Sequence, residues 1–278
     1  MILIADSGST KTDWALVSNG EVAERVTTQG INPYHQNGEA IGAILRNELL
    51  PQTAAGTVRE IFFYGSGCRP ELEPVMRQVL SNCFPQTVTV EAHGDLLGAA
   101  RALLGRQRGI ACILGTGSNS GLYDGSRIVQ NTPPLGYVLG DEGSGAVLGI
   151  RFLNALFKGF LPSPLASEFL EEQQMTMGDV IARVYRQPLA NRWLASVSPF
   201  VCRHLYMPEV RQLVIEHFRQ FFSRNLVQYG DRSLPVSAVG SIAWHYRELL
   251  AEAAGLEGFV LGTVQHSPID GMVAYHTK

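Results

Sequence analysis

The N-terminal part of the chain alternates two kinds of hydrophobic pattern. Apolar residues run together over Ile2 to Ala5, return over Asp13 to Val17, and alternate with polar ones from Glu21 to Thr27, the marks of three strands joined by short turns. Ala40 to Leu50 then spaces its apolar side chains at helical intervals, and Arg59 to Tyr64 is a strand rich in aromatic and β-branched residues. Pro70 to Ser81 reads as a helix opened by proline and Thr87 to Glu91 as another strand. Leu96 to Leu104 carries Leu or Ala at nearly every position and stops at Gly105, as a buried helix does. Strands in hairpin order followed by alternating helices and strands predict a mixed sheet with helices around it.

At Gly109 the pattern restarts. Ile110 to Leu114 is an apolar strand, a Gly/Ser/Thr turn follows, and Gly121 to Tyr123 pairs with Arg127 to Val129 across Asp124-Gly125, a two-residue hairpin signal. The strand, polar glycine turn, strand order near Asp6 thus recurs near Gly115, which suggests duplicated domains facing one cleft, although so short a match is a weak repeat signal. Helical spacing then dominates: Gly145 to Phe157, Ser163 to Gln173, Met177 to Tyr185, Ala190 to Leu205 and Glu209 to Tyr229. A strand at Pro235 to Val239, a helix from Ser241 to Ala254, a strand at Phe259 to Gly262 and a helix over Ile269 to Tyr275 complete the chain. No low-complexity linker interrupts it, so the joint between halves is short, near Gly105 to Gly109.

Composition narrows the class. The 278 residues make about two domains at about 150 residues each. With 45% apolar and 17% charged residues the chain is an ordinary globular protein. Its 22 Lys and Arg against 25 Asp and Glu, a net charge of −3 with no run of either sign, weigh against nucleic-acid binding. No stretch approaches the roughly 18 apolar residues of a membrane helix, and the opening MILIADSGSTKTDW lacks a basic leader region. The expectation is a cytoplasmic protein without a membrane partner. Cys68, Cys83, Cys112 and Cys202 are irregularly spaced and read as small hydrophobes rather than disulfides or metal ligands.

Four segments carry candidate chemistry. In Asp6-Ser7-Gly8-Ser9-Thr10-Lys11-Thr12, a tight turn between strands exposes backbone N–H groups able to cradle phosphate oxygens, and Asp6 could hold a hydrated magnesium; the alternative is a hairpin turn with a capping aspartate. It is not a Walker P-loop, since Lys11 follows Thr10 instead of glycine and a strand follows instead of a helix. Gly115-Thr116-Gly117-Ser118-Asn119-Ser120 is a second such turn, and fails as a dinucleotide fingerprint because Ser120 replaces the third glycine. Asp95, ahead of the Leu/Ala helix, is either an N-cap or a carboxylate placed to accept a hydroxyl proton, kept ionised by the helix end. In Gly136-Tyr137-Val138-Leu139-Gly140-Asp141-Glu142-Gly143-Ser144-Gly145, Asp141 is either an N-cap or a ligand of sugar hydroxyls, with glycines letting the backbone approach a ligand. The seven histidines form no metal spacing; His93 and His266 read as surface or supporting groups, and Phe218, Phe221, Phe222 and Tyr229 as core.

Taken in order, DSGSTKT, HGDLLGAAR, LGTGSNS, GYVLGDEGSG and VGSIAWHYRELL resemble the N-acetylglucosamine kinase group, in the BadF/BadG-type ATPase branch of the sugar kinase, Hsp70 and actin superfamily. The resemblance runs from Asp6 to the terminal SPIDGMVAYH. It implies an α/β fold of two ribonuclease-H-like, actin-like ATPase domains around a nucleotide cleft, the second enriched in helices. Residues 1–108 would form the first domain, joined by the C-terminal helix 266–278, and residues 109–265 the second, with a helical insertion.

By the same resemblance the cofactors are ATP and Mg²⁺. Asp6 matches the aspartate that positions magnesium through water, and Ser9, Thr10 and Lys11 the loop toward the γ-phosphate. Gly115, Thr116 and Gly117 match the second phosphate loop, and Gly240 and Ser241 the adenosine motif. Asp95 resembles the catalytic base, while Asn32, Ser66, Gly67, Asn119 and Asp141 match positions that hold the amino sugar. The implied activity is phosphorylation of the 6-hydroxyl of an N-acetylated amino sugar, N-acetylglucosamine first, with N-acetylmuramate or glucosamine as alternative acceptors. A BadF/BadG-type ATPase acting on a protein partner is the rival class, opposed by the missing iron–sulfur cysteine arrangement. The zinc cysteine cluster of the repressor/ORF/kinase sugar kinases is also missing, and Ser7 and Ser9 stand where many relatives have glycine. The helical second half offers a surface for a homodimer, with no residue pattern pointing to one.

Overall fold

Alternate residues of the first strand enter opposite hydrophobic clusters, Leu3 and Ala5 one and Ile4 the other, because successive side chains on a strand point to opposite faces. A sheet apolar on both faces must be covered on both. In the computed structural model, which describes residues 1–8 and 10–277, that sheet holds β1 (Ile2–Ser7), β2 (Lys11–Ser18), β3 (Glu21–Gln29), β4 (Glu60–Gly65) and β5 (Thr89–Gly94) in the order β3-β2-β1-β4-β5. β1 pairs antiparallel with β2 and parallel with β4, and β5 extends the parallel side. Helix Ile269–His276 closes one face, placing Ile269, Met272 and Val273 against Ile4, Phe62 and Tyr64.

The second sheet repeats this plan. It contains β6 (Gly109–Leu114), β7 (Ser118–Tyr123), β8 (Ile128–Asn131), β9 (Pro235–Val239) and β10 (Val260–Gln265), ordered β10-β9-β6-β7-β8. β6 pairs antiparallel with β7 and parallel with β9, and β10 lies parallel to β9. Numbered from its own first strand, this sheet has the order of the first. Its core is aromatic: Phe152, Phe169, Phe200, Phe218, Phe221, Phe222 and Tyr229 are all buried.

The chain divides into two compact units: Met1–Gln107 with Asp124–Ile128 and Ser267–Lys278, and Arg108–Tyr123 with Val129–His266. No helix of the described residues is long and apolar enough to cross a membrane. The four cysteines are free, with Cys68 and Cys112 buried.

Several expected elements differ in detail. The helix opened by proline starts at Glu73 rather than Pro70, with Pro74 in its first turn. The stretch read as one helix over 190–205 breaks into Ala190–Ser196 and Ser198–Arg203, because Pro199 lacks an N–H and fits only a first turn. Ser241–His245 and Arg247–Leu256 likewise replace one helix. The two-residue hairpin is a four-residue turn, since the Asp124 carboxylate accepts the N–H groups of Ser126 and Arg127 at 2.8 and 2.9 Å and draws the turn into a wider loop. The short helix Gly136–Leu139 has no apolar periodicity to announce it.

Candidate active site

In the first unit, register decides which residues meet. Ser7 is level with Gly65 and Gly65 with Gly94 across the parallel strands, so Asp6, Ser66, Gly67 and Asp95 gather at the carboxyl edge, where ligands of such sheets bind. The Ser66 N–H donates to the Ser7 carbonyl at 2.8 Å. Asn32 joins them: a Cβ at Gly67 would strike its side chain, while its Oδ1 accepts the Tyr34 N–H at 3.0 Å. The Ser7 hydroxyl, 2.6 Å from Thr12 Oγ1 and 2.8 Å from the Ile31 carbonyl, ties the first turn to this loop.

Asp6 is pushed up to about 7 by burial first, then by Asp95 and Asp13, with Lys11 opposing. Asp13 lies directly opposite Asp6 on β2, and like charges in that relation repel. Three carboxylates therefore act on one region, which suits a hydrated divalent cation: magnesium is commonly held by one or two carboxylates and water. Among the described residues no group of three His, Cys, Asp or Glu is set to hold a metal directly, so Asp6 would hold it alone or through water. Lys11 is exposed and pairs with Asp13 at 2.6 Å, Thr10 is exposed, and Ser9 lies outside the described residues.

Asp95 is the first residue of helix Asp95–Leu104, and the capping position belongs to Gly94. Its Oδ1 accepts the Leu96 N–H at 2.8 Å. The helix end, expected to keep this carboxylate ionised, does not act alone: the pKa of Asp95 is raised, although at pH 7 it is still mostly ionised. Burial raises Asp95 to about 6, partly offset by backbone N–H groups at Leu96 and Asp95, because desolvation outweighs the helix end. Two residues earlier, His93 lies between Glu73 and Glu91 at 3.2 and 3.3 Å.

The second unit builds a different edge on the same plan. Helix Gly145–Phe157 clasps the glycine turn: Gly145 N–H donates to Gly115 O at 2.8 Å and Ala146 N–H to Thr116 O at 3.1 Å. Gly240 ends β9 beside this turn with φ of 120°, and a Cβ there would run into the Leu114 carbonyl, so only glycine fits. Ser241 follows, exposed, as the first residue of its helix. The Asn119 Oδ1 accepts from Asn131 Nδ2 at 2.8 Å and from the Ser120 N–H at 2.9 Å.

Asp141 is not a cap either. Ser144 caps the helix, its Oγ accepting the Val147 N–H at 3.2 Å, while Asp141 has a left-handed φ of 54°. A Cβ at Gly117 would lie 3.1 Å from Asp141 Oδ2, so the carboxylate lies over the glycine turn. Burial, then Glu142, raises Asp141 to about 6, with the Ser118 N–H opposing between them. Two of the glycines around it are required by the protein itself: a Cβ at Gly140 would meet the Pro134 carbonyl, and one at Gly143 the Phe221 ring. A cavity of about 290 Å³ lined by Leu205, Arg211 and residues 245–249 includes none of these residues.

Three further groups carry no sequence motif. Asp13 lies opposite Asp6 through the antiparallel pairing of β1 with β2, a position that follows once those two strands are taken as a hairpin. Glu142, 3.3 Å from Arg224 and 3.4 Å from Asn225, has partners some eighty residues away, and the full burial of His217 is set by tertiary packing; neither left a local sign.

A structure from Porphyromonas gingivalis, provisionally named an N-acetylglucosamine kinase, is 48% identical to this chain, covering 100% of it and 99% of its own length with a TM-score of 0.97. This chain belongs to the N-acetylglucosamine kinase family. A second structure given that provisional name, from Chromobacterium violaceum, is 22% identical over 99% of this chain and 98% of its own, with a TM-score of 0.71. A provisionally named N-acetylmannosamine kinase from Listeria monocytogenes is 16% identical over 99% and 97%, with a TM-score of 0.55. At these lower identities the likeness is one of fold. No protein-family model and no curated protein matches the sequence.

Proposed function

We propose that this N-acetylglucosamine kinase family member transfers the γ-phosphoryl group of ATP to the 6-hydroxyl of an N-acetylated amino sugar, N-acetylglucosamine first. The observation carrying this reading is Asp95, a carboxylate raised to about 6 by burial, at the carboxyl edge of the parallel strands with Asp6 and Asn32. Phosphoryl transfer needs positioning and charge stabilisation more than base strength, and a carboxylate near neutrality is matched to taking a hydroxyl proton at working pH.

The roles follow from the residues. The sugar 6-oxygen attacks the γ-phosphorus as the bond from that phosphorus to the bridging oxygen breaks, the hydroxyl proton passes to Asp95, and ADP departs. Asn32, Ser66 and Gly67 in the first unit, and Asn119 and Asp141 in the second, hold the sugar. Thr10, Lys11 and the N–H groups of the first turn take γ-phosphate oxygens, with Ser9 assigned there by motif. Gly115, Thr116 and Gly117 take the inner phosphates, and Gly240 and Ser241 the adenosine. Asp6 would hold Mg²⁺, which when bound neutralises charge developing on the phosphates.

An ADP-release assay with N-acetylglucosamine, N-acetylmuramate, glucosamine and glucose tests the reading. N-acetylglucosamine should give the highest kcat/KM, and turnover without any stimulation by sugar overturns it.

A further inference from the structure

His217 sits in helix Pro208–Phe221 with no exposure to solvent, and neither ring nitrogen makes a hydrogen bond of normal geometry. A buried polar side chain without partners costs the fold free energy. The ring nonetheless lies against something specific. The backbone of Gly143 and Ser144 is close enough to act on it electrostatically, and so is the Arg151 charge. One helical turn onward, Phe221 lies beneath Gly143, where any Cβ would strike its ring. Residues four apart share a helix face, so His217 and Phe221 together form the floor under the turn that carries Asp141.

That turn needs a floor. Asp141 has φ of 54° and Gly143 of 84°, and a non-glycine residue in that region is held there only by its surroundings. The turn is tied down at its edges: Asp141 N–H to Pro134 O at 2.7 Å, Ser144 N–H to Asp141 O at 3.0 Å, and Glu142 to Arg224 and Asn225. The peptide groups at Gly143 and Ser144 form its centre. Burial, reinforced by Arg151, drives the imidazole down to about 3, so it stays neutral with one N–H donor and one acceptor nitrogen.

We propose that His217 is a positioning residue for the sugar: its neutral imidazole fixes the 143–144 backbone, and through it the left-handed Asp141, whose carboxylate then meets the sugar hydroxyls over Gly117. The inference rests on the reading of Asp141 as a sugar ligand. It reaches beyond that reading by assigning the acceptor affinity to a side chain in the core, which touches neither substrate.

Three variants test it by calorimetric binding of N-acetylglucosamine, steady-state kinetics and thermal melting: Asp141→Asn, His217→Leu and His217→Gln. His217→Leu should weaken N-acetylglucosamine about tenfold or more, leave the ATP KM within about twofold, and keep the Tm within a few degrees of the wild type, because leucine fills the same buried space without the polar contact to the 143–144 backbone. His217→Gln, which restores a donor, should recover a substantial part of the affinity. Unchanged sugar affinity in His217→Leu, with Asp141→Asn weakened, overturns the inference alone. Unchanged affinity in Asp141→Asn overturns the sugar-ligand reading beneath it. A lower Tm in His217→Leu with no recovery in His217→Gln makes the residue a purely structural one and overturns the proposal.

Discussion

The two units share a strand order and load it with opposite chemistry. At the carboxyl edge of the first lie Asp6, Asp13 and Asp95, with burial and mutual repulsion holding Asp6 near 7 and burial holding Asp95 near 6. The edge of the second offers glycines, hydroxyl residues and backbone N–H groups, with Asp141 over the turn. A sheet with an antiparallel hairpin on one side of its first strand and parallel strands on the other delivers loops to the same place whatever they contain. Topology sets where chemistry can occur, and a few loop residues set its sign. On the proposed reading the first unit supplies the proton acceptor, the cation site and the γ-phosphate turn, and the second the glycine turn for the inner phosphates.

If that division is correct, the largest effect comes from the first unit's base. Asp95→Asn should lower kcat by about 10²-fold or more, measured by ADP release, with the Tm at pH 8 equal to or above that of the wild type. The sign follows from burial. The folded Asp95 sits near 6 against an ordinary 3.8, so its stabilising contribution is present at low pH and is lost as pH rises from about 4 to about 6. The Tm advantage of the variant should therefore vanish at pH 4. Near wild-type turnover in Asp95→Asn would remove catalysis from the first unit.

A backbone change in the second unit ranks next. Gly240→Ala forces a Cβ toward the Leu114 carbonyl at φ of 120° and should cost on the order of 1–3 kcal/mol, read by denaturant melting, together with a raised ATP KM. A rise in sugar KM with an unchanged ATP KM would break the assignment of nucleotide to this edge.

The pH profile sharpens the contrast further. kcat/KM should fall up to about tenfold per pH unit as acidification through about 6 protonates Asp95, and the fall should disappear from the residual activity of Asp95→Asn. Magnesium should shift any Asp6 contribution to lower pH, because a cation favours the charged carboxylate.

The smallest structural effect belongs to Lys11, whose exposed pair with Asp13 is worth roughly 0–1 kcal/mol. Lys11→Gln should leave the Tm within a degree or two while raising the ATP KM. A large loss of stability would show that the pair serves the fold of the hairpin instead of phosphate.

Much of this was legible in the chain. Runs such as Ile2 to Ala5 and Ile110 to Leu114 are local hydrophobic patterns, and glycine and hydroxyl turns announce themselves because turn geometry depends on the residues that make it. What escaped was set by partners far along the chain or by desolvation. Asp95 and Asp141 both resemble helix caps in sequence, yet Gly94 and Ser144 occupy those positions. The glycines of GDEGSG read as space for a ligand, and two of them turn out to accommodate Pro134 and Phe221.

Local order, from the hydrophobic alternation of β1 to the punctuation of LGTGSNS, is written in neighbouring residues, and so are the five motifs that identify the family. The raised pKa values of Asp6 and Asp95, the repulsion from Asp13 and the burial of His217 exist only once strands and helices pack. Burial and through-space charge depend on distance in the folded molecule, and no spacing along the chain encodes that distance.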